Sequence, residues 1–267
     1  YFEQGERLLD PACRKTTPNG MGKTNNCFWM PQAGPTELTR RKRGVPAGTV
    51  KTVEVNLGYT LAKLTRPVTF YQPPVEQPCP LLVVWDGDDY LRRAKLPTML
   101  DNLIAAKRMR PVALALVPNG GASRFVEYAC SEATLAALVG YVLPEAKKQL
   151  NLLDIEQKPG AYGVMGASMG GLMALFTGLR FPQVFGRILA QSGAYSIRGY
   201  EFVTSALVRA GEGNDLKIWM DCGKYEFLLQ ANRQMHALLS EKGYDAVYHE
   251  YNAGHNYPAW RDDVWRG

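Results

Sequence analysis

The apolar positions of this chain fall into three regimes. Residues 1–45 show no sustained period and are rich in Pro, Gly, Asn and Thr ("DPACRKTTPNGMGKTNN", "PQAGPTE"), which predicts an irregular arm or linker. "TVKTVEVNL" (49–57) and "TRPVTFYQP" (65–73) alternate β-branched or aromatic residues with polar ones, a period of two that predicts an antiparallel hairpin at a sheet edge. After the proline-rich "QPPVEQPCP" the alternation gives way to short continuous apolar runs: "LLVVWD" (81–86), "PVALALVP" (111–118), "AYGVMG" (161–166), "RILAQS" (187–192), "KIWMDC" (217–222) and "AVYHEY" (246–251). Runs of that kind are strands buried on both faces. Stretches with helical spacing separate them, near 95–107, 131–149, 169–180, 201–210, 227–242 and 257–265. The order predicts an α/β fold with a mainly parallel central sheet, an antiparallel N-terminal edge hairpin and helices on both faces, occupying 46–267 as one domain.

Composition narrows the class. With 46% hydrophobic and 21% charged residues among 267, the chain can bury a large core. No apolar run approaches the roughly eighteen residues that cross a bilayer, and the opening "YFEQGERLLD" has neither the basic nor the apolar region of a signal peptide, so no membrane partner is expected. Cys13, Cys27, Cys79, Cys130 and Cys222 are widely spaced with no CxxC pair, the pattern of reduced cytoplasmic thiols rather than a metal or redox site. The net charge of +6 is mild, and its densest run, "TRRKRG" at 39–44, lies among Gly and Pro without aromatics. A solvated linker is expected there, and no nucleic acid.

Chemistry enters at "GVMGASMGGLMAL" (163–175), where Gly166-x-Ser168-x-Gly170 follows a predicted strand and opens a predicted helix. That context is the nucleophile elbow, whose serine sits in a strained turn that glycines on either side make room for. A nucleophilic serine needs a base. His236 lies in a helical pattern and His249 within a strand, whereas His255 follows "YNAG" in a loop after the last strand, at the sheet end where Ser168 stands. In α/β-hydrolase chain order the orienting acid lies between the serine and the histidine, and "WMDCGKYEFLLQANR" offers Asp221 at the strand end and Glu226 beyond Gly223. Both stay open, with the freer reach of a side chain past the strand end favouring Glu226. Donors for an oxyanion are the amide of Met169, at the start of the helix, and that of Asp88, after Gly87 in "VVWDGDDY".

These segments resemble the enterochelin esterase and esterase D group of α/β-hydrolases. The likeness rests on "VVWDGDDY", "SRFVEY" (123–128), "GASMGG" (166–171), "LAQSGAY" (189–195), "GKYEFLLQANRQMHALLSEKGY" (223–244) and "GHNYPAWRDD" (254–263), and in the arm on "LLDPACRKTTPNGMGKTNNCFWMPQAG". The resemblance implies a serine esterase that needs no cofactor or metal, with Ser168 as nucleophile, His255 as base and Glu226 as acid. It also implies an upstream β-sandwich before the arm, an ion pair between Arg124 and Glu127 at the edge of the site, and Trp260 packed over the histidine loop. A small-molecule ester is the expected substrate. A ferric catecholate would draw on Arg92, Arg93 and Arg198, a feruloyl or acetyl sugar ester on Tyr90 and Tyr195. A non-catalytic binding module has no use for both the serine and the histidine, which this chain keeps.

Overall fold

The computed structural model describes all residues except 1, 4–5, 19–23, 31–32, 59, 62–63 and 214. Eight strands form the central sheet: β1 (Thr49–Asn56), β2 (Thr65–Gln72), β3 (Leu81–Trp85), β4 (Ala113–Val117), β5 (Tyr162–Ala167), β6 (Phe185–Gln191), β7 (Lys217–Gly223) and β8 (Asp245–Tyr251). Their spatial order is β8-β7-β6-β5-β3-β4-β2-β1. β3 to β8 run parallel, and the hairpin β1/β2 joins antiparallel to β4 at one edge, as the change of period predicts. β1 is exposed along most of its length, which its alternating polar residues permit, whereas β4 and β5 are buried at every position.

Alternate residues of each strand face opposite layers. Val83, Trp85, Ala115, Val164, Ile188 and Met220 pack under one set of helices, Val84, Leu114, Leu116 and Met165 under the other. The helices are α1 (Gly87–Arg92), α2 (Leu96–Ala105), α3 (Arg124–Tyr128), α4 (Glu132–Ala137), α5 (Leu143–Gln149), α6 (Met169–Arg180), α7 (Val203–Ala210), α8 (Leu229–Glu241) and α9 (Tyr257–Asp263). The single helix predicted over 131–149 is divided into α4 and α5 by a π turn at Leu138–Val142. Pro144, in the first turn of α5, explains the break, since it has no N–H to return to the preceding turn. α1 and α3 were not legible as helices; at six and five residues both are too short for a helical period to show. Among the described residues, no single helix is long and apolar enough to cross a membrane.

The arm is less irregular than its composition suggests. Short antiparallel pairs join Phe2–Glu3 to Glu6–Arg7 and Thr16–Pro18 to Thr24–Asn26. The portions of the arm's family likeness at 19–23 and 31–32 lie outside the described residues. Its end is fastened to the domain: Leu38 is buried, Asn102 Nδ2 donates to the carbonyls of Leu38 (2.7 Å) and Arg40 (2.9 Å), and Asp262 accepts the Thr36 N–H at 2.9 Å. The basic run that follows is exposed throughout.

Candidate active site

Parallel register brings chemistry to one rim. Ala167 of β5 lies beside Gln191 of β6, and Gln191 beside Asp221 of β7, so the residues leaving these strands stand next to one another at their carboxyl ends. The first is Ser168, half-buried between β5 and α6 with φ 59° and ψ −121°. Non-glycine residues rarely adopt such a backbone, and the surroundings hold it there: the Ser168 N–H donates to Gln191 O (2.9 Å), and the Ala194 N–H donates to Ser168 O (3.0 Å). A Cβ on Gly166 would lie 2.5 Å from the carbonyl carbon and oxygen of Gly170, so the close crossing of β5 and α6 requires glycine.

Ser168 Oγ is 3.0 Å from His255 Nε2, and His255 Nδ1 is 2.5 Å from Glu226 Oε2. His255 comes from the loop between β8 and α9. Asn256 caps α9 by accepting the Ala259 N–H (3.1 Å), and the Tyr225 N–H donates to Ala253 O (3.1 Å), tying this loop to the one that carries Glu226. The Glu226 side chain is wholly buried. Burial alone would raise its pKa, but hydrogen bonds from His255, Ser192 and the Gly223 N–H outweigh it and hold the carboxyl below the ordinary range. An ionised carboxylate only accepts, so Nδ1 carries the imidazole proton and Nε2 presents its lone pair to the serine hydroxyl.

Asp221, the other sequence candidate, is buried beneath the rim and does not reach His255. Its carboxyl accepts from Trp219 Nε1 (3.2 Å) and Gln191 Nε2 (3.3 Å), and burial, reinforced by Asp263, pushes its pKa well up. It is part of the floor on which the site stands. Gln191 continues that floor, accepting from the Tyr90 hydroxyl (2.9 Å) and donating to Trp260 O (3.1 Å).

Met169 opens α6 and Asp88 lies in the first turn of α1, where N–H groups have no intrahelical acceptor. The α1 turn is set by Asp86, which has φ 56° and is buried. Arg124 grips its carboxylate with Nε and Nη2 (2.7 and 2.6 Å), and Asn119 Nδ2 adds a third bond at 2.6 Å. Gly87 runs so close to β4 that a Cβ would sit 2.3 Å from the Leu116 carbonyl carbon.

This corrects the ion pair implied between Arg124 and Glu127. Arg124 belongs to Asp86, while Glu127 takes both guanidinium nitrogens of buried Arg66 and accepts the Ser123 hydroxyl at 2.7 Å. Two buried charges, Arg66 in β2 and Asp86 just past β3, each needed a partner, and α3 supplies one to each.

The expected substrate contacts fare differently. Tyr90 and Tyr195 are 0% and 1% exposed, so neither ring is open to a ligand; both serve the core instead. Arg93 is engaged by Asp89 (3.0 Å) and lies 4.9 Å over the Tyr257 ring, which fixes it as a strut between α1 and α9. Arg92 stands exposed 3.9 Å from Asp88, and Arg198 is exposed in the turn between Ser196–Ile197 and Tyr200–Glu201. Sequence reasoning missed Phe227, which lies 5.1 Å from the His255 ring and is 63% exposed. It also missed Ser192, whose signal was a serine before a glycine at the very end of the predicted strand 187–192. Trp260 meets His255 edge-on at 4.8 Å, in keeping with its implied place over the histidine loop. A cavity of about 990 Å³ lies elsewhere, toward the amino ends of the strands between Met109, Met165, Leu189 and Trp219.

The chain has known relatives among esterases. The chain is 30% identical over 205 residues to the iron(III) enterobactin esterase of Dickeya dadantii, covering 70% of this chain and 46% of that protein. It is 28% identical over 185 residues to an acetyl esterase of Caldicellulosiruptor saccharolyticus, covering 57% and 69%. The chain thus spans about half the length of the enterobactin esterases that it matches. The crystal structure of the enterobactin esterase FES from Shigella flexneri in the presence of enterobactin superposes with a TM-score of 0.82 at 24% identity, over 97% of this chain and 68% of that one, a likeness of fold. The model of the family described as putative esterase matches residues 62–266, and the chain belongs to that family.

Proposed function

We propose that this chain is a serine carboxylester hydrolase working through an acyl-enzyme, with residues 46–267 as its catalytic domain and 1–45 as an arm. The observation that carries the reading is the continuous hydrogen-bonded line from Ser168 Oγ through His255 to Glu226, at 3.0 and 2.5 Å. Ser168 Oγ bonds to the ester carbonyl carbon as its proton passes to His255 Nε2. The amides of Met169 and Asp88 hold the oxyanion. His255 returns the proton to the departing alcohol oxygen as the ester C–O bond breaks, and water then repeats the sequence, releasing the acid and restoring Ser168. Glu226 keeps the imidazole in the right tautomer and stabilises its cation. Ser168→Ala is expected to abolish hydrolysis of p-nitrophenyl butyrate while leaving the melting temperature within a few degrees; unchanged turnover would refute the assignment.

For the natural ester, the Dickeya relative supports a ferric catecholate siderophore, an anionic aromatic substrate. A second reading, an acetyl or feruloyl ester on a polysaccharide, draws support from the Caldicellulosiruptor relative and from the engagement of Arg93 by Asp89. Relative kcat/KM on a ferric catecholate triester, a feruloyl sugar and an acetylated sugar chooses between them. All five cysteines carry free thiols, which fits the cytoplasmic location we assign.

A further inference from the structure

Beside the acid stands a second serine with unusual placement. Ser192 leaves β6 at the rim between Ser168 and the Glu226 loop, is fully buried, and has φ 47° without being glycine. Its N–H donates to Asp221 O at 2.6 Å, its Oγ donates to Glu226 Oε1 at 2.7 Å, and the same Oγ accepts from Trp260 Nε1 at 2.9 Å. An indole N–H only donates, so toward Trp260 the hydroxyl has to accept, and its single proton is left for the carboxylate. Trp260 is held in turn by Gln191 at its carbonyl and lies edge-on against His255.

We propose, resting on the serine hydrolase reading above, that Ser192, with its hydroxyl aimed by Trp260, is a positioning residue for Glu226. Its bond to Oε1, with that of the Gly223 N–H (2.8 Å), fixes the plane of the carboxylate so that Oε2 faces His255 Nδ1. Without Ser192, Oε1 loses one of its two donors and the carboxylate turns more freely about its last bond. The bond also tempers the basicity of Glu226. Without it the carboxyl loses one of the bonds that hold its pKa down, and Glu226 takes up a proton at higher pH. The other titratable groups around Glu226 are His255, Asp221, Cys222 and Tyr251, and burial raises the pKa of the last three.

The test compares the parent with Ser192→Ala and Ser192→Gly on p-nitrophenyl butyrate across pH 5–9, with melting curves as a check of folding. Glycine is at ease at φ 47°, so Ser192→Gly reads the loss of the hydroxyl even if Ser192→Ala folds poorly. The expected result is a fall in kcat of about ten- to a hundredfold with KM within about twofold, the size of one lost hydrogen bond to a charged group. The acidic limb of kcat/KM is expected to move up by about half a pH unit or more. A folded Ser192→Gly with parental kcat and an unmoved limb would overturn the proposal. Ser168→Ala in the same series keeps the two readings apart: an active Ser168→Ala sinks the hydrolase assignment itself, whereas an inactive one beside a parental Ser192→Gly sinks this inference alone.

Discussion

Two carboxylates stand within five residues at the end of β7, and the structure assigns them opposite electrostatic characters, so exchanging each for its amide should give opposite results. Glu226→Gln removes the negative charge facing His255 Nδ1 across 2.5 Å. With charge centres ~4 Å apart and an effective dielectric constant of ~20, the imidazolium formed in the transition state loses ~4 kcal/mol of attraction. That is about a thousandfold in rate, and an amide can also donate to Nδ1 and favour the wrong tautomer. Asp221→Asn, by contrast, replaces a carboxyl that does not reach His255 and whose pKa burial pushes well up, and kcat/KM should stay within about threefold. The assay is kcat/KM for p-nitrophenyl butyrate at pH 8 for both variants, with thermal melts at pH 5 and pH 8. Because folded Asp221 keeps its proton to higher pH than the unfolded chain does, the parent loses stability as pH rises from the ordinary carboxylate range toward the folded pKa. Asp221→Asn removes that slope and should lose less melting temperature between pH 5 and pH 8 than the parent. A Glu226→Gln enzyme within tenfold of the parent, or an Asp221→Asn enzyme as impaired as Glu226→Gln, would refute the assignment of the two groups.

Two further perturbations test the supports of the site. Glu127→Ala strands Arg66, which is 4% exposed, without its carboxylate, and should cost about 3–5 kcal/mol. For a chain of this size that lowers the melting temperature by about 6–10 °C, and a shift under two degrees by calorimetry would mean that water replaces the pair. Gly166→Ala forces a methyl 2.5 Å from Gly170 backbone atoms and should push the elbow out of line, lowering kcat about a hundredfold with the protein still folded; parental kcat would show that α6 gives way harmlessly.

What could be read from the chain alone followed from local physics. Strand spans over 49–57 and 161–166 and the helix over 169–180 lie within a residue or two of the observed elements, because burial on one or both faces writes its period directly into neighbouring positions. The serine and histidine were legible for the same reason: each had to leave a strand at its carboxyl end. Contacts set by partners distant in sequence were not. Arg124 is 38 residues from Asp86, and Arg66 is 61 from Glu127, so no local pattern announces either pair. The tyrosines failed differently: Tyr90 and Tyr195 carry the same composition signal as pocket residues, and only the closing of the sheet beneath the rim shows them to be core.

The proposed base and nucleophile hang from parts of the sheet with unequal holding power. Ser168 leaves β5, buried at every position, whereas His255 follows β8, the half-exposed edge strand with a neighbour on one side only. Edge elements open and close far more often than a core whose exchange demands global unfolding. The line from Ser168 to Glu226 is therefore as durable as its outermost strand: on warming, turnover is expected to fade while the bulk of the molecule is still folded, so that heat inactivation reports the fraying of one margin rather than the melting of the whole.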